Sequence, residues 1–293
     1  MSELDAVMAR FADMQASWGP DTTPAQMSAD VEALYIGFSE PSSAKIEQVD
    51  IGGLASEWIT PDGCAHRAVL HLHGGGYSTG TPRGYRGLAT AIGEAANAHV
   101  LTLGYRLVPD HVYPAQIEDA VKAYDWLIGQ GFAPGEIAFS GDSAGGGLAV
   151  SVLLKLRDLG KPMPGCAVLL SPWLDLEAAG ESYRTNVDKD PIATPDMVRA
   201  MGGAYGGDPA DPLAAPLNAD LGGLPPLQIL SGGCEIFESD ARTLMSHAER
   251  DGVSVMLIAE PDMVHVWPLF ASVLSKGKTA LGEIGRFIAA KTG

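Results

Sequence analysis

The pentapeptide Gly141-Asp142-Ser143-Ala144-Gly145 joins an apolar run, 137–140, to a helical pattern over 144–159. In that pattern Leu148, Val152, Leu156 and Leu159 recur in helical register. A serine between two glycines, where a strand turns straight into a helix, has a physical use. The sharp turn lifts the Ser143 hydroxyl off the end of a sheet. The glycines let helix and strand come close, and the helix N-terminus favours a developing oxyanion. Five such residues alone could be a turn with a capping serine. The strand before and the helix after make Ser143 a candidate nucleophile.

The rest of the chain repeats this strand–helix rhythm. Short apolar runs at 68–73, 100–103, 166–171, 227–231 and 254–259 predict strands. Helical patterns fall between or after them, at 84–96, 114–128, 239–251 and 277–290. Such alternation predicts a mostly parallel sheet with helices on both faces. Ahead of it, 3–17 and 24–38 read as amphipathic helices, and 45–60 as an antiparallel hairpin turning at Gly52-Gly53. Residues 178–226 break the rhythm, being polar and rich in Pro and Gly, with one helix expected at 195–205. A long irregular insertion in a compact domain is usually functional or mobile. No linker divides the 293 residues, so a single domain over 1–293 is expected. With 46% hydrophobic and 19% charged residues, disorder is excluded.

A second glycine run, His73-Gly74-Gly75-Gly76-Tyr77, follows the first parallel strand. Its backbone N–H groups, with that of Ala144, could form an oxyanion hole, usually the largest catalytic contribution. A phosphate loop fails here: the run has no Gly-Lys-Ser/Thr ending, and Thr79 stands where a dinucleotide fingerprint needs its third glycine. His265 lies in the loop after the last strand, where a general base could reach Ser143. Among the other histidines, His71 lies within a strand and reads as core. His73 reads as ordering its loop, and His66, His99, His111 and His247 read as solvated. Chain order then places an acid between Ser143 and His265. Glu235, Glu238 and Asp240, after strand 227–231, all qualify, Asp240 also suiting a helix N-terminus.

Nineteen Lys+Arg against 36 Asp+Glu leave a net charge of −17. Nucleic acid and anionic membrane surfaces are therefore not expected as partners, and neutral or cationic ligands are favoured. Cys64, Cys166 and Cys234 are too few and too scattered for a disulfide framework or zinc knuckle. No metal or cofactor is expected. The opening MSELDAVMARFADM has no continuous apolar stretch, so neither a signal peptide nor membrane insertion is expected, and a cytoplasmic location is.

Taken together, HGGGY at 73–77, YRLVPD at 105–110 leading to Asp119, GDSAGG at 141–146, SPWLDL at 171–176, DPL at 211–213 and MVH at 263–265 resemble the hormone-sensitive-lipase family of bacterial carboxylesterases, in its GDSAG branch. The resemblance covers nearly the whole chain. It implies an α/β-hydrolase fold with a helical cap built from about 1–40 and 180–216. It implies Ser143 as nucleophile, His265 as base, and Gly75, Gly76 and Ala144 as oxyanion donors. The family usually has an aspartate in the acid loop, where this chain reads Cys234-Glu235-Ile236-Phe237. Glu235 is the carboxylate within a residue of that position and is assigned as the acid, with Asp240 as the alternative. The implied activity is hydrolysis of short- to medium-chain acyl esters, a small-molecule substrate. The rivals are an amidase or arylacetamide-type deacylase on the same triad, an acyltransferase that excludes water, and a non-catalytic small-ligand receptor. Plant receptors similar to the family lack the histidine that His265 matches. Tyr205, Phe38 and Trp18 are aromatic candidates to line the pocket, although packing of the cap on itself is the expected role of each. Members of the family often form homodimers through the last sheet edge, here near 254–259.

Overall fold

In the computed structural model, which describes residues 2–19 and 21–293, the chain opens with helices α1 (Glu3–Ala16) and α2 (Pro24–Ile36). Strands β1 (Lys45–Asp50) and β2 (Ala55–Thr60) follow as an antiparallel hairpin. Its turn is fixed by the Asp50 carboxylate, which accepts from Gly53 N at 2.8 Å. Then come β3 (Ala68–Leu72), α3 (Pro82–Ala96), β4 (His99–Thr102), α4 (Ala115–Gly129), β5 (Ile137–Asp142), α5 (Ala144–Asp158) and β6 (Cys166–Leu170). The long insertion carries the one-turn α6 (Ser182–Thr185) and α7 (Pro195–Tyr205). The chain finishes with β7 (Leu227–Gly232), α8 (Glu238–Arg250), β8 (Val255–Glu260) and α9 (Ser275–Lys291).

The eight strands form one sheet in the order β1-β2-β4-β3-β5-β6-β7-β8. Strands β3 to β8 run parallel, while β1 and β2 run antiparallel to their neighbours. Period-two alternation sends each strand's side chains to two separate cores. On one face Leu70, Phe139 and Ala167 stand in register and pack with Ile117 and Leu127 of α4, Leu148 and Val152 of α5 and Leu244 of α8. On the other, Val69, Ala138 and Val168 pack against Leu88 and Ile92 of α3, Ile284 and Ile288 of α9 and Val7 and Phe11 of α1. Side chains such as Phe139 and Leu70 are fully buried, each worth about 1.5–3 kcal/mol relative to exposure.

This topology decides where chemistry can occur. Successive strands move to opposite sides of β3, so the loops leaving the C-terminal ends of β3 and β5 part from a common point, where open α/β sheets bind ligands. The loops after β7 and β8 end at the same edge. No helix among the described residues is long and apolar enough to cross a membrane.

Candidate active site

Ser143 sits between the last residue of β5 and the first of α5 with φ 52° and ψ −122°, a conformation that L residues rarely hold. The turn closes tightly over the preceding loop. A Cβ on Gly145 would lie 2.0 Å from Leu72 O and 2.5 Å from His73 O, so only glycine permits α5 to start here. The HGGG loop is thereby pressed against the serine turn. Gly74 N donates to Asp142 Oδ1 at 3.0 Å. Gly75 has φ 107°, and a Cβ there would meet Thr79 O at 2.3 Å. Among the described residues, the N–H groups of Gly75, Gly76 and Ala144 have no protein acceptor. Three unpaired donors at the mouth of the serine turn are what a tetrahedral oxyanion needs.

His265 and Glu235 meet across two loops. His265 Nδ1 lies 2.6 Å from Glu235 Oε2. The other carboxylate oxygen accepts from Ser231 Oγ at 2.7 Å and Gly232 N at 2.9 Å. Glu235 is fully buried, and His265 is 8% exposed with its ring against Phe237. A carboxylate acceptor sets Nδ1 as the protonated nitrogen and leaves Nε2 to exchange protons. Burial by itself would push the imidazole pKa down. The hydrogen bond and charge of Glu235, with the charges of Asp190 and Asp142, outweigh it and hold the pKa above 6.5. The loop after His265 is pinned by Ser171, whose hydroxyl accepts from Val266 N at 3.0 Å.

Asp240 faces elsewhere. Its Oδ2 accepts from Leu174 N at 2.9 Å, Asp175 N at 3.1 Å and the Tyr183 hydroxyl at 3.0 Å. Burial pushes its carboxyl up to about 7. Glu238, the other sequence candidate, pairs with Arg242 on the surface of α8. Of the three acids, Glu235 alone reaches the His265 ring.

Ser143, His265, Gly75 and Gly76 border one cavity of about 310 Å³. Helix α2 contributes Val31 and Tyr35 to its wall, and the insertion contributes Ile192, Ala193, Met197 and Met201. Residues 69–269 match the α/β-hydrolase fold family. An acetyl-hydrolase of Streptomyces hygroscopicus is 43% identical over 84% of this chain and 83% of its own length. An esterase of Acinetobacter venetianus is 31% identical over 85% and 84% respectively. A solved esterase of the bacterial hormone-sensitive-lipase family superposes with a TM-score of 0.95 at 41% identity, covering 99% of this chain and 98% of that one. The chain belongs to the hormone-sensitive-lipase family of α/β-hydrolases. It is a serine hydrolase of carboxylic esters. A hormone-sensitive lipase from a metagenome library superposes equally well, with a TM-score of 0.94 at 33% identity over 100% of this chain and 99% of that one.

Within this family frame the aromatic candidates prove to be packing residues, as expected for each, and do not line the cavity. Tyr205 is buried and stacks on Tyr77 at 3.9 Å, Phe38 packs edge-on to Phe270, and the Trp18 indole donates to Asp30 at 3.0 Å. His99 is only partly solvated. Its ring stacks on Trp58 at 5.1 Å, and its nitrogens lie 3.2 Å from Thr60 Oγ1 and 3.3 Å from Cys64 Sγ. His73, as expected, orders its loop. Its Nδ1 donates to Gly74 O at 2.7 Å, its ring stacks on Tyr105, and burial pushes its pKa down to about 4. His71 is fully buried, within 3.6 Å of Asp142, and burial pushes it down to about 3. The buried Asp142 carboxyl is pushed up to about 7. Sequence reasoning missed Ser171 and the insertion residues that hold the acid loop.

Proposed function

We propose that this esterase hydrolyses short- to medium-chain acyl esters by a Ser143–His265–Glu235 triad through an acyl-enzyme. The 2.6 Å contact of His265 Nδ1 with Glu235 Oε2, beside a cavity that Ser143 also borders, carries this reading. Ser143 Oγ attacks the ester carbonyl while His265 Nε2 takes its proton. The carbonyl oxygen becomes an oxyanion held by the N–H groups of Gly75, Gly76 and Ala144. Collapse breaks the bond to the alkoxide, which leaves with the proton from Nε2. Water, deprotonated by the same nitrogen, then attacks the acyl-serine, and acid and free serine result. Glu235 holds the tautomer and stabilises the imidazolium.

The cavity volume lies at the low end of small-molecule pockets, about 300–1,000 Å³, which supports short acyl groups. The Streptomyces relative is named an acetyl-hydrolase, which agrees. In this reading α1, α2 and the insertion form a cap that shapes the acyl pocket and excludes water. The test is hydrolysis of p-nitrophenyl acetate, butyrate, octanoate and palmitate. Turnover should peak at acetate to octanoate and fall away at palmitate. A maximum at palmitate would contradict the pocket argument, and cleavage of anilides alone would favour the amidase alternative.

A pH profile checks the base. The catalytic form needs a neutral imidazole, so kcat/KM falls as pH drops through the His265 pKa. That pKa is raised, so the acid limb should lie above pH 6.5. In Glu235→Gln the hydrogen bond to an anion and the nearby charge are lost while burial remains, so the residual activity should show a limb displaced to lower pH. An acid limb well below 6.5 in the unsubstituted enzyme would remove His265 as the titrating base.

The outer strand β8 carries the exposed Met256 on an edge that no other strand covers among the described residues. It is the surface we propose for pairing of two copies, and a monomer by light scattering would exclude it.

A further inference from the structure

The segment that follows α6 climbs with a repeat of four. Asn186 N donates to Ser182 O at 3.0 Å and Asp190 N to Asn186 O at 2.9 Å, which places Ser182, Asn186 and Asp190 one above another. All three are buried, and all three side chains grip the loop that bears Glu235. Ser182 Oγ donates to Ile236 O. Asn186 Nδ2 donates to Gly233 O at 3.1 Å and to Glu235 O at 2.9 Å. Asp190 Oδ2 accepts from Ile236 N at 2.8 Å.

The carbonyl of Glu235 and the N–H of Ile236 belong to one peptide group. An amide side chain holds one end of that group and a carboxylate holds the other, so its plane cannot rotate without breaking both bonds. Lys189 Nζ, 3.0 Å from Asn186 Oδ1, fixes which end of the amide faces the carbonyls. The Glu235 side chain springs from this peptide, and its carboxylate must meet His265 within hydrogen-bond range. Asp190 has a second attachment. Its Oδ1 accepts from Ile192 N at 2.8 Å and Ala193 N at 3.0 Å, and both residues line the cavity.

We infer that Asn186 and Asp190 are positioning residues that clamp the Glu235–Ile236 peptide, and so hold the triad carboxylate on His265, while Asp190 joins this clamp to the wall of the acyl pocket. The inference rests on Glu235 being the triad acid. The insertion therefore both shapes the pocket and completes the catalytic geometry.

The test is a double-mutant cycle on p-nitrophenyl butyrate. Asn186→Ala and Asp190→Asn are made alone and in a Glu235→Gln background, with thermal melts to show that each variant is folded. Residues that orient metal ligands typically cost about ten- to hundredfold in activity when removed, and a loss of the same order is expected in kcat for both single variants. KM should stay constant in Asn186→Ala and rise in Asp190→Asn, which alone disturbs the pocket wall. With the carboxylate gone there is nothing left to position. In the Glu235→Gln background each substitution, read on the pH plateau above the His265 limb so that the Asp190 charge on the imidazole does not enter, should therefore lower kcat no further than about twofold. An undiminished loss in that background overturns the inference, as does a folded Asn186→Ala with unchanged kcat. Glu235→Gln at full activity would instead bring down the triad assignment, a distinct and recognisable failure.

Discussion

Replacing Ser143 with glycine should abolish turnover and yet make the protein more stable. Loss of a serine nucleophile that works with its base as a unit costs about 10⁶-fold in kcat. The stability effect comes from the backbone. Ser143 holds φ 52° and ψ −122°, outside the regions open to L residues, and such positions cost about 1–3 kcal/mol each. Glycine relieves that strain but raises the entropy of the unfolded chain by about 0.5–1 kcal/mol. The balance is a gain on the order of 1 kcal/mol, or about 1.5–2 °C in Tm for a chain of 293 residues. Ser143→Ala separates the two effects, since alanine keeps the strain and loses the hydroxyl. The expected order of Tm is glycine above alanine, with alanine close to serine, and both variants inactive. A glycine variant that melts below the alanine variant would show that the serine turn stores no strain.

The loops that meet at the candidate site were legible because a turn of that kind needs particular local sequence. A strand-to-helix turn around Ser143 has to carry close-packing glycines, and a loop that exposes its own N–H groups needs residues such as Gly75. The sheet was legible because buried parallel strands are short continuous apolar runs, as at 68–72 and 166–170. Errors at element ends have equally local causes. The helix expected from 84 starts at Pro82, because the Thr81 hydroxyl accepts from Gly84 N and Pro82 occupies the first turn. Glycines at that end had hidden the periodicity.

What could not be read depends on contacts distant in sequence. Helix α7 was placed at 195–205, but its rotation was not. Met197 and Met201 face the cavity, while Val198, Gly202 and Tyr205 turn inward. His99 sits at a strand end, where solvent is the ordinary expectation, and Trp58 of a neighbouring strand covers it. Residues 182–190 lack apolar periodicity, and their order comes from polar side chains bonded to a loop some fifty residues away. The spacing Ser182, Asn186, Asp190 was visible in the sequence, yet nothing local says what lies opposite it.

Glu235→Gln should lower kcat by about 10⁴-fold, the cost of losing a triad acid elsewhere. Proton placement matters here more than charge. Glutamate accepts at both oxygens, from Ser231 Oγ and Gly232 N on one side and from His265 Nδ1 on the other. Glutamine can keep its carbonyl oxygen on the first pair only by turning its NH₂ toward Nδ1. The imidazole must then carry its proton on Nε2, where it cannot receive one from Ser143. Glu235→Ala should lose as much activity and additional stability, because three buried donors are left without an acceptor. Asp240→Asn is the contrasting variant. Its carboxyl, pushed up to about 7 by burial, is satisfied by Leu174 N, Asp175 N and the Tyr183 hydroxyl and does not touch His265. Activity should be unchanged. A raised pKa in the folded state means that the stabilising contribution of Asp240 is complete below its unfolded value, 3.8, and is lost as pH rises through about 7. The asparagine variant has no such loss, so its Tm relative to the unsubstituted protein should improve steadily from about pH 4 to about pH 7 and level off above that. Were Asp240→Asn inactive and Glu235→Gln active, the acid would be Asp240, and the 2.6 Å pair at His265 would be structural only.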